Sequence, residues 1–247
     1  MISDFLAHGE VHMYKTLMIL IIVLLTGCGS GSGEPAETET GTLGTIKRQG
    51  VATYGYGTHI LSDDAGRTIY ALKSDTINMD NYLDRKITVD GDLIDGYPVD
   101  SGPEYLNVKS IGLPFQTIQN GLAGISFDSP QTSPQTVRIE SQAGWDDFWI
   151  RINSHIQPVP EQPAVDFSKY NVVAAVDIVH SNGGFGLAIK QVLDQGDRLD
   201  LRVTRTQAGL HCMVTQTFIK PFHIIQVEKN LLPLQMVLTT RIYNCPN

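Results

Sequence analysis

Short segments of alternating apolar and polar residues, each stopped by Gly, Asp, Asn, Ser or Pro, dominate residues 43–112. Alternation of that period belongs to strands with one buried face and leaves no room for long helices. GTLGTIKRQGVA, YGTHILSD, RTIYALKS, RKITVDGDLI and PEYLNVKSI predict five strands, with one helical turn at NMDNYL between the third and fourth. SDDAGR (62–67) carries the Asp and Gly chemistry of a tight hairpin turn. The second half reads differently. In GWDDFWIRINSH, Trp145, Phe148, Trp149 and Ile152 stand at i, i+3, i+4 and i+7, one face of an amphipathic helix ended by Pro158. NVVAAVDIV reads as a strand buried on both faces, HSNGGFG as a turn and FGLAIKQVL as its return strand. LDLRVTRT, PFHIIQVEK and LQMVLTTRIYNC follow as further strands. The expected class is mainly β with some α. A five-stranded barrel at 43–112 precedes an α+β or β-sandwich domain at 120–247 with one amphipathic helix. Between them, GLPFQTIQN (112–120) reads as a linker.

Upstream lies MYKTLMILIIVLLTGCGSGSGEPAETETGT, from Met13 to Thr42. Its apolar run, Thr16 to Leu25, is about ten residues, short of the roughly 20 that span a bilayer. Lys15 supplies a positive start. Leu25-Thr26-Gly27-Cys28 resembles the lipobox of bacterial lipoproteins. The resemblance implies acylation of the Cys28 thiol and cleavage before it, which makes 1–27 a signal peptide. Residues 28–42, rich in Gly, Ser and Glu, then form a flexible tether, and the protein sits in the bacterial cell envelope, held to a membrane through lipid. An ordinary cleaved signal peptide or a short anchor is the alternative. The residues before Met13, with Asp4 and Glu10, fit no targeting pattern, so translation is expected to start at Met13.

The formal charge of −8 excludes nucleic acid as a partner on electrostatic grounds. That exclusion matters because five short strands with a helical turn after the third resemble an OB-fold barrel, an architecture that often binds oligonucleotides. Residues 43–112 hold seven Lys/Arg against ten Asp/Glu, the wrong sign for a single-strand groove. Tyr54, Tyr56 and Tyr70 read instead as core residues or as contacts for a glycan or peptide. DGDLIDGYPVD places Asp90 and Asp92 at calcium-loop spacing, but Ile94 and Ser101 stand where acids are required, so an acidic strand connection is expected. With Cys28 lipidated, Cys212 and Cys245 remain as an even pair, 33 positions apart in an oxidising compartment, where a disulfide is the default and two buried thiols the alternative.

The order Trp-rich helix, VDFSKYNVVAA, NGGFGLAI, a strand pair and VTQTFIKPFHIIQVEK resembles the C-terminal domain of PrcB-type subunits of bacterial protease complexes, over about residues 140–230. The resemblance implies a surface lipoprotein that accompanies and stabilises an exported protease and is itself no catalyst. The barrel in front departs from that pattern. No catalytic constellation, metal-ligand set or cofactor motif is expected. Ser126 in GISFD lacks the second glycine of a nucleophile elbow, and His59, His155, His180, His211 and His223 show no H-E-x-x-H spacing. Two stretches are candidates for recognition. In SNGGFG, Gly183 and Gly184 permit positive φ and close approach at an exposed tip, with Phe185 as anchor or as first core residue. In KPFHII, Phe222 and His223 fall on opposite faces of a strand, one of them near a partner, or the stretch is simply a strand start set by Pro221. The expected function is protein binding beside an exported protease. The alternatives are a cell-surface glycan or peptide binder and an envelope hydrolase with an unrecognised site.

Overall fold

Alternating side chains on β1 (Thr42–Arg48), β2 (His59–Ser62), β3 (Thr68–Lys73), β4 (Lys86–Leu93) and β5 (Glu104–Gly112) send Ile46, Leu61, Leu72, Ile87, Val89, Leu106 and Val108 to one interior. The computed structural model describes residues 41–99, 101–128 and 130–245. β1 pairs antiparallel with β2 and with β4, β2 with β3, and β4 with β5, while β3 and β5 run parallel. The ring therefore closes in the order β1-β2-β3-β5-β4, which leaves no free edge over the paired lengths. A 3₁₀ turn, Met79–Tyr82, sits between β3 and β4 as expected. The β2–β3 turn is the predicted hairpin: Asp63 accepts the backbone N–H groups of Ala65 and Arg67, and Gly66 takes φ +78°. Closure needs a bulge at Asp90/Gly91, where a Cβ on Gly91 would run into the Asn107 carbonyl.

The rest of the chain adds β6 (Phe115–Leu122), β7 (Gln135–Ile139), α1 (Gln142–Ile152), β8 (Tyr170–Val176), β9 (Phe185–Asp194), β10 (Leu199–Ala208), β11 (Pro221–Glu228) and β12 (Leu234–Tyr243). β6, β11, β8 and β7 form an antiparallel sheet in that order. One face of it, with Val172, Ala174, Val176, Phe222 and Ile224, packs on Trp145, Phe148, Trp149 and Ile152 of α1. The other face, with Val173, Ala175, Ile225 and Val227, packs on Leu187, Ile189, Leu201 and Val203 of β9 and β10. That double burial is why NVVAAV is apolar at every side chain after Asn171. Each such aliphatic side chain contributes roughly 1.5–3 kcal/mol on burial.

α1 starts on the Ser141 cap and stops at Asn153, well before Pro158, because the buried Asn153 amide turns back to donate to the Trp149 carbonyl. The proline-rich connection lies across the tryptophans instead: the indole N–H groups of Trp145 and Trp149 donate to the carbonyls of Pro163 and Pro160.

Two pairings differ from the sequence expectation. β8 and β9 are not a hairpin. β8 lies in the four-stranded sheet and β9 in the eight-stranded one, so SNGGFG carries the chain from one layer to the other. The stretch expected as a linker holds most of β6, which pairs with β11 from Phe115 to Leu122. Barrel and second half also meet directly. Ile111 and Gly112 of β5 pair with Asp194 and Leu193 of β9, and the Tyr82 hydroxyl donates to Asp194. Arg85 and Glu228 form an ion pair across the same seam. One hydrophobic cluster runs from Ile46 to Val227 through both parts, and the described residues belong to one compact unit.

Candidate functional site

Two loops meet beside β5: 49–58 between β1 and β2, and 94–103 between β4 and β5. The first, QGVATYGYGT, has no charged residue; the second, IDGYPVDSGP, has two aspartates and no base. With no ion pairs to join them, they are held by rings. Tyr56 is buried and packs on Tyr54 at 4.9 Å, on Tyr97 at 4.4 Å and on Tyr105 at 5.1 Å between centroids. Tyr97 meets Tyr105 edge-on at 5.0 Å. The Tyr56 hydroxyl donates to the Pro103 carbonyl at 2.5 Å, which ties one loop to the other. Gly102 is required where they touch, since a Cβ there would strike the Tyr56 hydroxyl and the Tyr54 ring. Contacts of this kind are worth about 0.5–1.5 kcal/mol per pair beyond burial.

The outer surface of this clasp carries exposed apolar groups, with Asp95 among them. Tyr97 is 38% exposed and Val99 41%, and Val51 on the other loop is fully exposed. Rings that are rigid, amphipathic and already packed lose little entropy on binding, which suits them to contact another surface. At 4.4–5.1 Å between centroids no cavity remains among the rings, so the clasp presents a platform and holds nothing inside. Tyr70, the third tyrosine singled out in sequence, lies in β3 against the barrel core and takes no part.

The residues read from sequence as recognition candidates lie elsewhere. Gly184 is buried, and neither it nor Gly183 has positive φ. Their smallness serves close packing: a Cβ on Gly184 would stand 2.8 Å from Ala208 Cβ and 3.0 Å from Val214 Cγ1. Phe185 is half-buried, its ring stacked on His180 at 3.8 Å. Phe222 is 1% exposed beneath α1. His223 is also buried, between β6 and β9: its Nδ1 accepts the Ile189 N–H at 2.8 Å and its Nε2 meets Thr117 Oγ1 at 3.0 Å. Burial, helped by Lys190, pushes its pKa down to about 4, so the ring is neutral. Phe222 and His223 therefore offer no surface to a partner. Cys212 and Cys245 are joined, with Cα atoms 5.2 Å apart, and Cys28 lies outside the described residues.

Tertiary structure also assembles polar groups that no sequence motif announced. Asp177, wholly buried at the end of β8, accepts from Arg205 through both oxygens, from the Ile178 N–H at 2.8 Å, and meets His180 Nε2 at 2.9 Å. Burial alone would push its carboxyl up, but the bonds from Arg205 and His180 outweigh that and hold it below the usual range. A carboxylate so fully engaged is no general base; it clamps the two layers where the chain crosses between them. Its one signal was an acid interrupting an apolar nine-residue run. At the seam, a cleft of about 550 Å³ is lined by Asn81, Tyr82, Arg85, Asp194 and Glu228. Burial and Asp194 push the Tyr82 phenol well above its ordinary pKa, so it stays a donor. Among the described residues no three His, Cys, Asp or Glu side chains converge to hold a metal ion. No family model, curated protein or solved structure matches the chain.

Proposed function

We propose that this chain is a lipid-anchored binding protein of the bacterial cell envelope that engages a protein partner through the tyrosine clasp. The observation that carries the reading is the Tyr54–Tyr56–Tyr97–Tyr105 cluster, a rigid aromatic platform bordered by exposed valines. Interface anchors are drawn from this residue type, and a few of them supply most of the binding energy. The strand order β1-β2-β3-β5-β4, with β3 beside β5, supports an OB-like barrel, whose ligands lie against the loops that form the clasp here. An exported protease is the partner class, on the resemblance of 140–230 to PrcB-type subunits; the Trp-bearing helix, the buried strand and the GGFG crossing occur in that order. Glycan binding is the second reading, favoured by Asp95 beside Tyr97, since ring faces and carboxylates together suit sugars.

Pull-down from detergent-solubilised membranes tests the proposal. Wild type should retain a protease that Tyr97→Ala loses, with melting temperature lowered by only about 2–4 °C. Equal retention by both would move the site off the clasp. Retention on polysaccharide instead, lost in the same variant, would replace the protein partner by a glycan.

A further inference from the structure

Two aromatic rings of this molecule are covered by its own cations. Arg85 lies over Tyr82 at 5.4 Å, and Phe127 has Arg151 over it at 5.4 Å and Lys220 at 5.5 Å. The electron-rich face of a ring draws a cation in this way. The clasp gathers four tyrosines, yet among the described residues no Lys or Arg lies over Tyr54, Tyr97 or Tyr105.

The carboxylates around these rings are left in the same condition. Elsewhere in the barrel acids meet bases: Asp63 with Arg67, Asp64 with Lys86, Asp75 with Lys73 and Asp80 with Arg48. Asp92, Asp95 and Glu104 are exposed and have no ion-pair partner among the described residues. Their places are fixed by the β4–β5 pairing. The Ile94 N–H donates to the Tyr105 carbonyl at 2.8 Å, so Asp95 and Glu104 follow directly on that pair, one on each strand. Asp92 stands opposite Asn107, two positions from Tyr105 and on the same face of the sheet. Like charges set across a strand pair destabilise it. Of the bases on the adjoining strands, Arg48 and Lys73 are held by Asp80 and Asp75, and Lys47 and Lys109 reach no carboxylate. Residues 92–104 hold four acids and no Lys or Arg, and 49–58 hold no charge at all.

We infer that the partner segment seated on the clasp is basic: an Arg or Lys side chain reaches the faces of Tyr97 and Tyr105 with its charge toward Asp95 and Glu104. This rests on the clasp being the binding surface and adds the chemistry of what binds there. An apolar partner would desolvate the carboxylates and return nothing for them, whereas a cation serves rings and carboxylates together. An anionic partner is repelled.

The test uses the full chain and a synthetic peptide of alternating Arg and Gly, with a Gln and Gly peptide as neutral counterpart, followed by titration calorimetry. The Arg peptide should bind about tenfold tighter or more, and its affinity should fall as salt rises from about 50 to about 300 mM. Asp95→Asn with Glu104→Gln should weaken it about fivefold or more, and Tyr97→Ala about threefold or more. Asp146→Asn with Glu161→Gln removes the same charge at exposed positions beside α1, across the four-stranded sheet from the barrel, and should change it less than about twofold. Equal weakening by the two double variants would reduce the attraction to net charge and overturn the inference, as would an Arg peptide that binds no better than the Gln one. With a repulsion relieved, Asp95→Asn with Glu104→Gln should be at least as stable as wild type; a lower melting temperature would assign these carboxylates to the fold instead. The pull-down separates the basic segment from the clasp itself. A protease lost by Tyr97→Ala and kept by Asp95→Asn with Glu104→Gln leaves the clasp in place and removes the basic segment. A protease kept by both removes the clasp as the site.

Discussion

The barrel loops and the β10–β11 loop both present apolar side chains to solvent, yet they are kept in place by different means. In the clasp, Tyr56 is buried and each loop supplies rings to the other, so burial and ring packing hold the pair. The β10–β11 loop has no fully buried side chain over 209–218, and a covalent bond adds to the contact of half-buried Val214 with Gly184. The contrast teaches where each region is vulnerable. The clasp fails if its rings are removed, whereas the β10–β11 loop loosens if its sulfur bridge is reduced and keeps its place when its exposed side chains are lost.

The largest effect tests whether the two regions belong to one cooperative body. Because Tyr82, Asp194, Ile111 and Leu193 are buried along the seam, the joined chain should melt in one transition, and 43–112 and 120–247 should each lack one when expressed apart. Two independent cooperative melts would make the barrel a domain in its own right. Next, replacing both Cys212 and Cys245 by Ser should lower stability by about 2–5 kcal/mol, read from urea unfolding, since the closed loop is constrained in the unfolded chain as well. The clasp should be untouched, with tyrosine-dependent binding intact.

His223 gives the third effect. Its folded pKa is depressed to about 4, whereas the unfolded chain takes up the proton at the ordinary value of 6.5. The stability this ring confers is therefore complete above pH 6.5 and is lost as pH falls towards 4, by up to about 3 kcal/mol. His223→Gln keeps an acceptor for the Ile189 N–H and should flatten that part of the pH profile; an unchanged slope would assign it to other groups. The smallest change in stability belongs to Tyr97→Ala, about 1 kcal/mol on partial exposure, and this variant should show the largest loss of partner binding, about 2 kcal/mol or more. If melting falls sharply and binding holds, the clasp is scaffold and nothing else.

How much of this was legible in the sequence depends on the range of the interaction concerned. Strand periods in 43–112, the SDDAGR hairpin and the Trp145–Ile152 face are set by neighbours within a few residues, and they appear in the structure as read. Tyr54 and Tyr56 were visible as ring-bearing positions, but Tyr97 and Tyr105, more than forty residues on, join them only because the barrel closes. Gly183 and Gly184 looked like turn glycines, and Phe222 and His223 like opposite faces of a strand with one near a partner, although the strand start at Pro221 was legible and is where β11 begins. Those readings assumed a hairpin between β8 and β9 and a free face on β11. The chain instead crosses between layers at Gly184 and places β11 at the centre of the stack, where both of its faces are covered.

By itself the sequence determined the local periods, the turn chemistry and the negative charge. It also determined that two cysteines stand near the same end of the chain, available to each other. Only the tertiary structure decided that Asp177, His180 and Arg205 form one buried cluster, that β3 lies parallel to β5, and that a stretch resembling a linker is a paired strand. The physical reason is that periodicity and turn preference are properties of adjacent residues. Sheet order instead depends on which distant apolar faces can cover one another, and only the folded chain brings those faces together.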